Sequence, residues 1–246
     1  MSYLEATIEP TETQRRVADR FGVLPNFFKL APDAPPMAGA LFEFAKFAYL
    51  DSPLPSLFKE RLFVHLSRFC EVRYCLVRHF CFLIGRGRPS GDASAEPMSA
   101  DTAIALLKRS FMPQRQTDHL VEYLRGVRPA ADIVPDSELE TALFAVCTAV
   151  FLNPAKARPY LHVLRRVLGS ERYEYLLAYI GFIRLAHYWT QVHPELAEEE
   201  DVQELMHLLE RLAWGLAWDT QAGWSVIAEQ VGDELRQLKD FSARRR

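Results

Sequence analysis

The sequence predicts an all-α protein, and three observations support that prediction. Apolar residues recur at helical spacing in segment after segment of the 246-residue chain, of which 49% is hydrophobic. Helix signals divide these segments, such as Gly22 after the first helix and the capping box of Ser137 and Glu140 before a later one. The chain also lacks a convincing strand, a Gly-rich phosphate loop and an internal repeat.

The predicted helices follow one another along the chain. Pro53 and Pro55 suit the start of the third helix, because proline lacks the N–H that a first turn leaves unused. Gly169 ends the eighth helix. The Gly- and Pro-rich stretch at residues 85–99 is the clearest loop, and we expect it to be mobile near the site. The predicted helices span residues 11–21, 37–50, 56–69, 73–84, 101–110, 116–125, 137–152, 159–168, 171–191 and 201–239.

The helical hairpin at residues 53–87 concentrates the reactive side chains of the protein. Three of the four cysteines and two of the seven histidines fall in it. Cys75 and His79 are four residues apart, so they share a helical face. In an antiparallel hairpin, Glu60 on the first helix faces the turn that carries His79. The spacing therefore predicts a thiol, an imidazole and a carboxylate in one pocket.

This trio suits thiol chemistry. A thiol attacks as thiolate, and its pKa falls near a helix N-terminus or beside cations, as expected for Cys75 with Arg73 and Arg78 close in sequence. His79 would take or relay the proton, and Glu60 would orient the imidazole. The competing interpretation is that the cysteine is a small core hydrophobe, which is the usual role of a buried free thiol.

The same residues resemble a family signature. Glu60, eleven residues, the run V-R-Y-C at residues 72–75, three residues and His79 resemble the motif of the alkylhydroperoxidase D (AhpD) and carboxymuconolactone decarboxylase superfamily. The resemblance implies an AhpD-like helical bundle in which Cys75 attacks a peroxide and His79 with Glu60 forms a proton relay. Val72 stands where the resolving cysteine of the family would be.

The missing cysteine puts a two-cysteine cycle in doubt. Cys70 is a candidate resolver only if the helix breaks between it and Cys75, because a continuous helix holds their Cα atoms beyond the ~7 Å disulfide limit. Cys70 and Tyr74 are therefore secondary candidates for the site. We interpret Cys81 as a core residue, and oxidation of Cys75 alone to a sulfenic acid remains open. His187 is likewise interpreted as a hydrogen-bonded core group.

The resemblance also implies the domain organisation. Residues 53–194 form an AhpD-like core with an insertion at residues 88–135. Residues 1–52 form an N-terminal helical arm packed on that core, residues 195–246 form a C-terminal helical extension, and together they make one compact domain. The acidic cluster at residues 198–201 suits the N-terminus of the last helix. That helix has an apolar stripe of leucines and tryptophans, which would cover the body of the protein or a second subunit.

Three functions compete at this point. The first is a thiol-dependent antioxidant or peroxidase-type protein. The second is a ligand-binding or redox-sensing module without turnover, suggested by Val72 and by a likeness to AhpD-like domains that precede sensor kinases. The third is a carboxymuconolactone decarboxylase-like lyase that uses His79 as an acid/base. Zinc binding by Cys75, His79 and Glu60 is a further alternative, but no paired Cys-x-x-Cys supports it.

Composition limits the partners and the compartment. The net charge is −3, so the chain lacks the excess of basic residues that favours nucleic-acid binding. The sequence has no run of about 18 apolar residues, so it predicts no membrane-spanning helix. No signal peptide is recognisable, so we expect a cytoplasmic protein with reduced thiols. The expected partners are a peroxide or small organic substrate, a thiol reductant and further copies of the chain, with no cofactor and no metal ion.

Overall fold

The computed structural model describes residues 10–29, 34–70, 72–109, 114–129, 131–197 and 199–203, and this part of the chain is all-α. It contains eight α-helices joined by loops and short 3-10 turns, has no strand, and includes no helix long and apolar enough to cross a membrane. The predicted all-α class is confirmed, whereas nearly all of the tryptophan-rich helix predicted at residues 201–239 lies outside the described residues. The α-helices are α1 (Glu12–Phe21), α2 (Pro35–Ala45), α3 (Ser56–Phe69), α4 (Arg73–Leu83), α5 (Ala100–Leu107), α6 (Gln114–Gly126), α7 (Glu138–Leu152) and α8 (Arg158–Gln191).

The first helix begins and ends at residues that local chemistry favours, whereas the second does not end where predicted. At the start of α1, the Thr11 hydroxyl accepts the Gln14 N–H and the Gln14 side chain accepts the Thr11 N–H, which completes a capping box. Gly22 ends the helix with a φ of 77°, as predicted. The single helix predicted at residues 37–50 is instead two elements, because α2 continues into a π-helical turn at Lys46–Leu50.

The hairpin of α3 and α4 lies at the centre of the bundle. Every residue at positions 58–67 and 74–83 is buried, which is the pattern of helices enclosed on all sides. The helices run antiparallel, since Glu60 near the start of α3 meets His79 near the end of α4. The predicted break between them is confirmed, because α3 ends before Cys70 and α4 begins after Val72.

The long helix α8 is broken at Gly169, as the sequence predicts. The φ of 78° and ψ of 167° at this residue lie outside the helical region, and a positive φ strains any residue with a Cβ. Before the break, α8 contacts α6 through a hydrogen bond from Arg166 to the Leu124 carbonyl. After the break, it crosses the central hairpin, where the Tyr179 hydroxyl donates to the Lys59 carbonyl at 2.5 Å.

A buried ion pair joins α3 to the start of α7. The Ser137 hydroxyl caps α7 by accepting the Glu140 N–H at 3.1 Å, as predicted. The Glu140 carboxylate, however, does not complete the capping box. It accepts the Asp136 N–H at 2.9 Å and pairs with the fully buried Arg61 at 2.7 Å. This carboxylate therefore stabilises contact between two helices rather than one helix end.

We expect Glu140→Ala to destabilise the protein by about 3–5 kcal/mol, because removal of one partner leaves the Arg61 guanidinium buried without its main counter-charge. Glu138→Ala is the matched control, since Glu138 lies in the same first turn of α7 but is exposed. Urea denaturation of both variants measures the free energies of unfolding. Similar losses in the two variants would show that the effect comes from the helix end and not from the ion pair.

Candidate functional site

The centre of the candidate site is a buried contact between Glu60 and His79. His79 Nδ1 lies 2.7 Å from Glu60 Oε2, and neither side chain is more than 10% exposed. The Phe63 ring stacks on the imidazole, with ring centroids 3.4 Å apart and an interplanar angle of 16°. A carboxylate at Nδ1 favours the neutral tautomer that carries its proton there, so Nε2 is the nitrogen that can accept a proton. The structure thus brings together two of the three predicted site residues.

Two residues that sequence reasoning missed complete the contacts of Glu60. Its Oε1 atom accepts hydrogen bonds from the Tyr49 hydroxyl and from the Ser90 backbone N–H, the latter at 2.5 Å. The Tyr49 oxygen also lies 3.4 Å from His79 Nδ1. Burial, reinforced by the Glu60 charge, raises the pKa of Tyr49 well above its usual value, so this hydroxyl keeps its proton.

The π-helical turn at Lys46–Leu50 directs Tyr49 towards Glu60. A backbone hydrogen bond of 2.8 Å that spans five residues closes the turn. The Lys59 ammonium donates to the carbonyls of Tyr49 and the following residue, at 2.5 and 3.3 Å. Burial lowers the pKa of Lys59 to about 8, and these carbonyls supply the acceptors that its charge needs. Apolar periodicity carries no signal for such a turn, which explains why Tyr49 was missed.

The loop predicted at residues 85–99 is attached to the site. Its short 3-10 turn at Pro89–Gly91 is buried, contrary to the expectation of a mobile segment. Ser90 adopts a φ of 49°, which is uncommon for a residue with a Cβ, and this conformation accompanies the donation of its N–H to Glu60. The Ser90 hydroxyl also donates to the Ser56 carbonyl at 3.0 Å. The buried carboxylate therefore holds part of the loop.

Cys75 occupies the first turn of α4, as predicted, but its environment differs from the expected one. The side chain is only 1% exposed, and its sulfur hydrogen bonds to the Thr190 hydroxyl at 3.6 Å. Burial raises the pKa of Cys75 to about 12, and the bond to Thr190 opposes this only in part. The expected lowering by Arg78 is not found, because that guanidinium pairs with Asp201 and Glu199. Desolvation outweighs the helix terminus here.

A small cavity connects the thiol with the imidazole. Its volume is about 30 Å³, which is room for one or two water-sized molecules. Cys75, His79, Tyr49 and Arg78 contribute to its wall, together with six phenylalanines. The cavity therefore offers a reacting molecule a thiol, an imidazole and a phenol within an apolar enclosure.

The other cysteines of the hairpin do not line this cavity. Cys81 is fully buried, in agreement with its interpretation as a core residue, and burial raises the pKa of this thiol to about 12. Cys70 lies at the end of α3, where the break falls, and its thiol is free. Burial also raises the pKa of Cys70 above its ordinary value. Neither residue lies on the cavity wall with Cys75.

Tyr74, the remaining secondary candidate, faces an acidic residue from the end of the described chain. Its hydroxyl donates to Glu199 Oε1 at 2.6 Å and accepts the Phe27 N–H at 2.9 Å. Glu199 is 3% exposed, and the sequence predicts only that its acidic cluster suits the N-terminus of a helix. Charge clusters are usually exposed, so the sequence offered no sign that one member turns inward.

Two further histidines are core groups. His187 Nε2 lies 2.9 Å from the Ser67 hydroxyl, which confirms the interpretation of His187 as a hydrogen-bonded core residue. His65 Nε2 lies 3.1 Å from the Thr148 hydroxyl. Burial lowers the pKa of both imidazoles to about 3. Among the described residues, no group of three or more His, Cys, Asp or Glu side chains is arranged to hold a metal ion.

Comparisons with known proteins do not assign this site. No protein-family model, no curated protein and no solved structure matches the chain. The resemblance of the Glu60, Cys75 and His79 spacing to the AhpD-like signature therefore stays a prediction.

The two neutral core histidines predict a loss of stability as the pH falls below about 6.5. Because their folded pKa is depressed to about 3, the unfolded chain binds more protons in the intervening range. Each histidine then lowers the free energy of unfolding by about 1.4 kcal/mol per pH unit. We expect His187→Gln to flatten this slope in urea titrations at a series of pH values. His119→Gln, at an exposed position of α6, is the control, and equal slopes in both variants would contradict the assignment.

Proposed function

We propose that this protein is a thiol-dependent, peroxide-reactive protein of the AhpD-like class, with Cys75 as the attacking thiol. The observation that best supports the proposal is the buried hydrogen bond between Glu60 and His79 at the wall of a cavity that Cys75 also lines. An imidazole held by a carboxylate suits general acid–base catalysis, and a thiol in the same cavity is a nucleophile for it to serve.

The reaction would run as a displacement at oxygen. His79 accepts the thiol proton, and the Cys75 sulfur attacks one peroxide oxygen, so that an S–O bond forms as the O–O bond breaks. The departing oxygen takes the proton from His79 and leaves as water or an alcohol, and Cys75 becomes a sulfenic acid. The Glu60 carboxylate stabilises the imidazolium between the two proton transfers, as in other carboxylate–imidazole pairs. Tyr49 keeps its proton throughout and holds the carboxylate in place.

Burial of the thiol limits both the resting state and the substrate. With a pKa of about 12, Cys75 is almost entirely protonated at neutral pH, so the proton has to be removed inside the site. The cavity of about 30 Å³ accommodates hydrogen peroxide or the reactive end of a short alkyl hydroperoxide. Substrates with bulky groups around the peroxide would clash with the aromatic wall.

Recovery of the thiol would depend on an external reductant. Val72 is buried directly before α4, at the position of the missing resolving cysteine. Two equivalents of a small thiol would return Cys75 to the reduced state, with release of one disulfide and one water. This dependence distinguishes the proposed cycle from a two-cysteine peroxidase, in which the first product is an internal disulfide.

A second candidate function is redox sensing or ligand binding without turnover. The burial of Cys75 favours it, because a desolvated thiol reacts slowly and its oxidised form is shielded from bulky reductants. A peroxidase and a redox sensor share the oxidation step and differ in the fate of the oxidised thiol, whereas a ligand-binding module would leave the thiol unoxidised. An enzyme returns to the thiol state with a reductant, whereas a sensor accumulates the oxidised state.

Cys75→Ser is expected to abolish peroxide consumption in the presence of a small thiol reductant, while Cys81→Ser keeps it. Cys81 is a matched control, since both thiols are buried in α4 and burial raises both pKa values to about 12. Mass spectrometry with a sulfenic-acid trap locates the oxidised residue in the wild type. Sustained consumption by Cys75→Ser would mean that another thiol of the protein reduces the peroxide, and it would overturn the assignment of Cys75.

Val72→Cys is expected to raise turnover and to produce an internal disulfide with Cys75 after peroxide treatment. The two positions are three residues apart at the start of α4, which brings their Cα atoms within disulfide range. Peroxide consumption at limiting reductant and non-reducing peptide mapping measure both effects. Val77→Cys, also buried in α4, is the control for an added thiol at a different spacing. A disulfide with no gain in turnover would favour the sensing function.

A further inference from the structure

A carboxylate of the chain itself fills a set of converging donors beside the candidate site. Glu199 Oε1 accepts the Asn26 backbone N–H at 2.7 Å and the Tyr74 hydroxyl at 2.6 Å. Its Oε2 atom contacts the Arg78 guanidinium. All four residues are buried, so these donors are oriented by the fold and shielded from water. Together they provide a charge, a hydroxyl and an amide for one carboxylate.

Two of the three donors to this carboxylate also line the cavity. Tyr74 and Arg78 lie on α4 and line the cavity wall with Cys75. Asn26 begins the 3-10 turn at Asn26–Lys29, whose aromatic residues close another part of the same wall. A molecule whose carboxylate took the place of the Glu199 group would therefore have its apolar remainder at the cavity.

The charge balance permits such an exchange. Arg78 also pairs with Asp201, at 2.6 and 3.0 Å, so one guanidinium serves two carboxylates. Asp201 is 42% exposed and is partly stabilised by water, whereas Glu199 depends on the buried donors. Replacing the Glu199 carboxylate by that of a ligand leaves the number of charges in the site unchanged. Burying the ligand carboxylate then costs about as much desolvation free energy as burying the Glu199 carboxylate.

The segment that carries Glu199 is short and follows the last of the described α-helices. It comprises two short 3-10 turns, Pro194–Ala197 and Glu200–Val202, which follow α8 and are anchored by the buried Leu196 and Val202. Short segments with few anchors open at a lower free energy than the core helices.

We propose that Asn26, Tyr74 and Arg78 form a binding site for the carboxylate of a short-chain aliphatic acid, and that Glu199 occupies this site in the ligand-free protein. The apolar chain of the acid would extend into the space beside Cys75. This site does not depend on the peroxide reaction, because the recognition uses the three donors and not the thiol chemistry.

Calorimetric titration of the full chain with butyrate, and with butyramide as the uncharged isostere, tests the proposal. Glu199→Ala is expected to bind butyrate at least about tenfold more tightly than the wild type, because the tethered carboxylate no longer competes. Butyramide is expected not to bind either protein measurably. Adding Arg78→Met to Glu199→Ala is expected to abolish butyrate binding. Equal binding of the acid and the amide, or no binding by folded Glu199→Ala, overturns the proposal.

A second measurement distinguishes a ligand site that extends into the cavity from simple replacement of the missing Glu199 carboxylate by butyrate. Butyrate bound as proposed shields Cys75. At a saturating concentration, it is therefore expected to slow iodoacetamide labelling of Cys75 in Glu199→Ala at least about tenfold. Labelling of the half-buried Cys70 in the same sample is the internal control. Binding without protection of Cys75 would mean that butyrate only refills the Glu199 position, which also overturns the proposal. If Glu199→Ala does not fold, the same two measurements are made on Glu199→Gln and on the wild type at high butyrate. The proposal is then tested by preferential binding of butyrate over butyramide and by protection of Cys75 from labelling.

Discussion

The buried charge of Glu60 is the constraint on which the arrangement of the site depends. A carboxylate removed from water costs several kcal/mol unless hydrogen-bond donors replace its hydration. The donors here are the imidazole of His79, the hydroxyl of Tyr49 and the backbone N–H of Ser90, and they come from three separate segments. Satisfying one charge therefore positions α4, the π-helical turn and the loop after α4 relative to α3.

The neighbours of Glu60 in sequence extend this role to the whole of α3. Lys59, Glu60 and Arg61 are three consecutive charged residues, and each is at most 1% exposed. Successive residues in a helix point about 100° apart, so each side chain meets a different part of the bundle. Lys59 binds carbonyls of the π-helical turn, Glu60 binds His79, and Arg61 pairs with Glu140 on α7. Polar contacts thus specify the position of α3 on several sides, where apolar packing alone would tolerate sliding.

Local patterns made most of the fold predictable from the sequence. Helical periodicity and cap residues such as Ser137 and Gly169 act over short distances, so the central hairpin, the start of α7 and the break in α8 were predicted correctly, whereas the π-helical turn after α2 was not. The contact between Glu60 and His79 was also accessible, because a hairpin turns sequence spacing into proximity. Tyr49 and Glu199 were not, since their contacts depend on an irregular turn and on burial of a carboxylate, neither of which has a local signature.

The π-helical turn has a consequence for the length of the chain. A regular α-helix closes its hydrogen bonds over four residues, whereas the turn at Lys46–Leu50 closes over five and so contains one additional residue. A homologue shorter by one residue in this region would form an uninterrupted helix, and the register of every side chain before the deletion would rotate by about 100°. Whether a relative keeps the Tyr49 contact would then be visible as a single gap in an alignment, even where every residue type around it is retained.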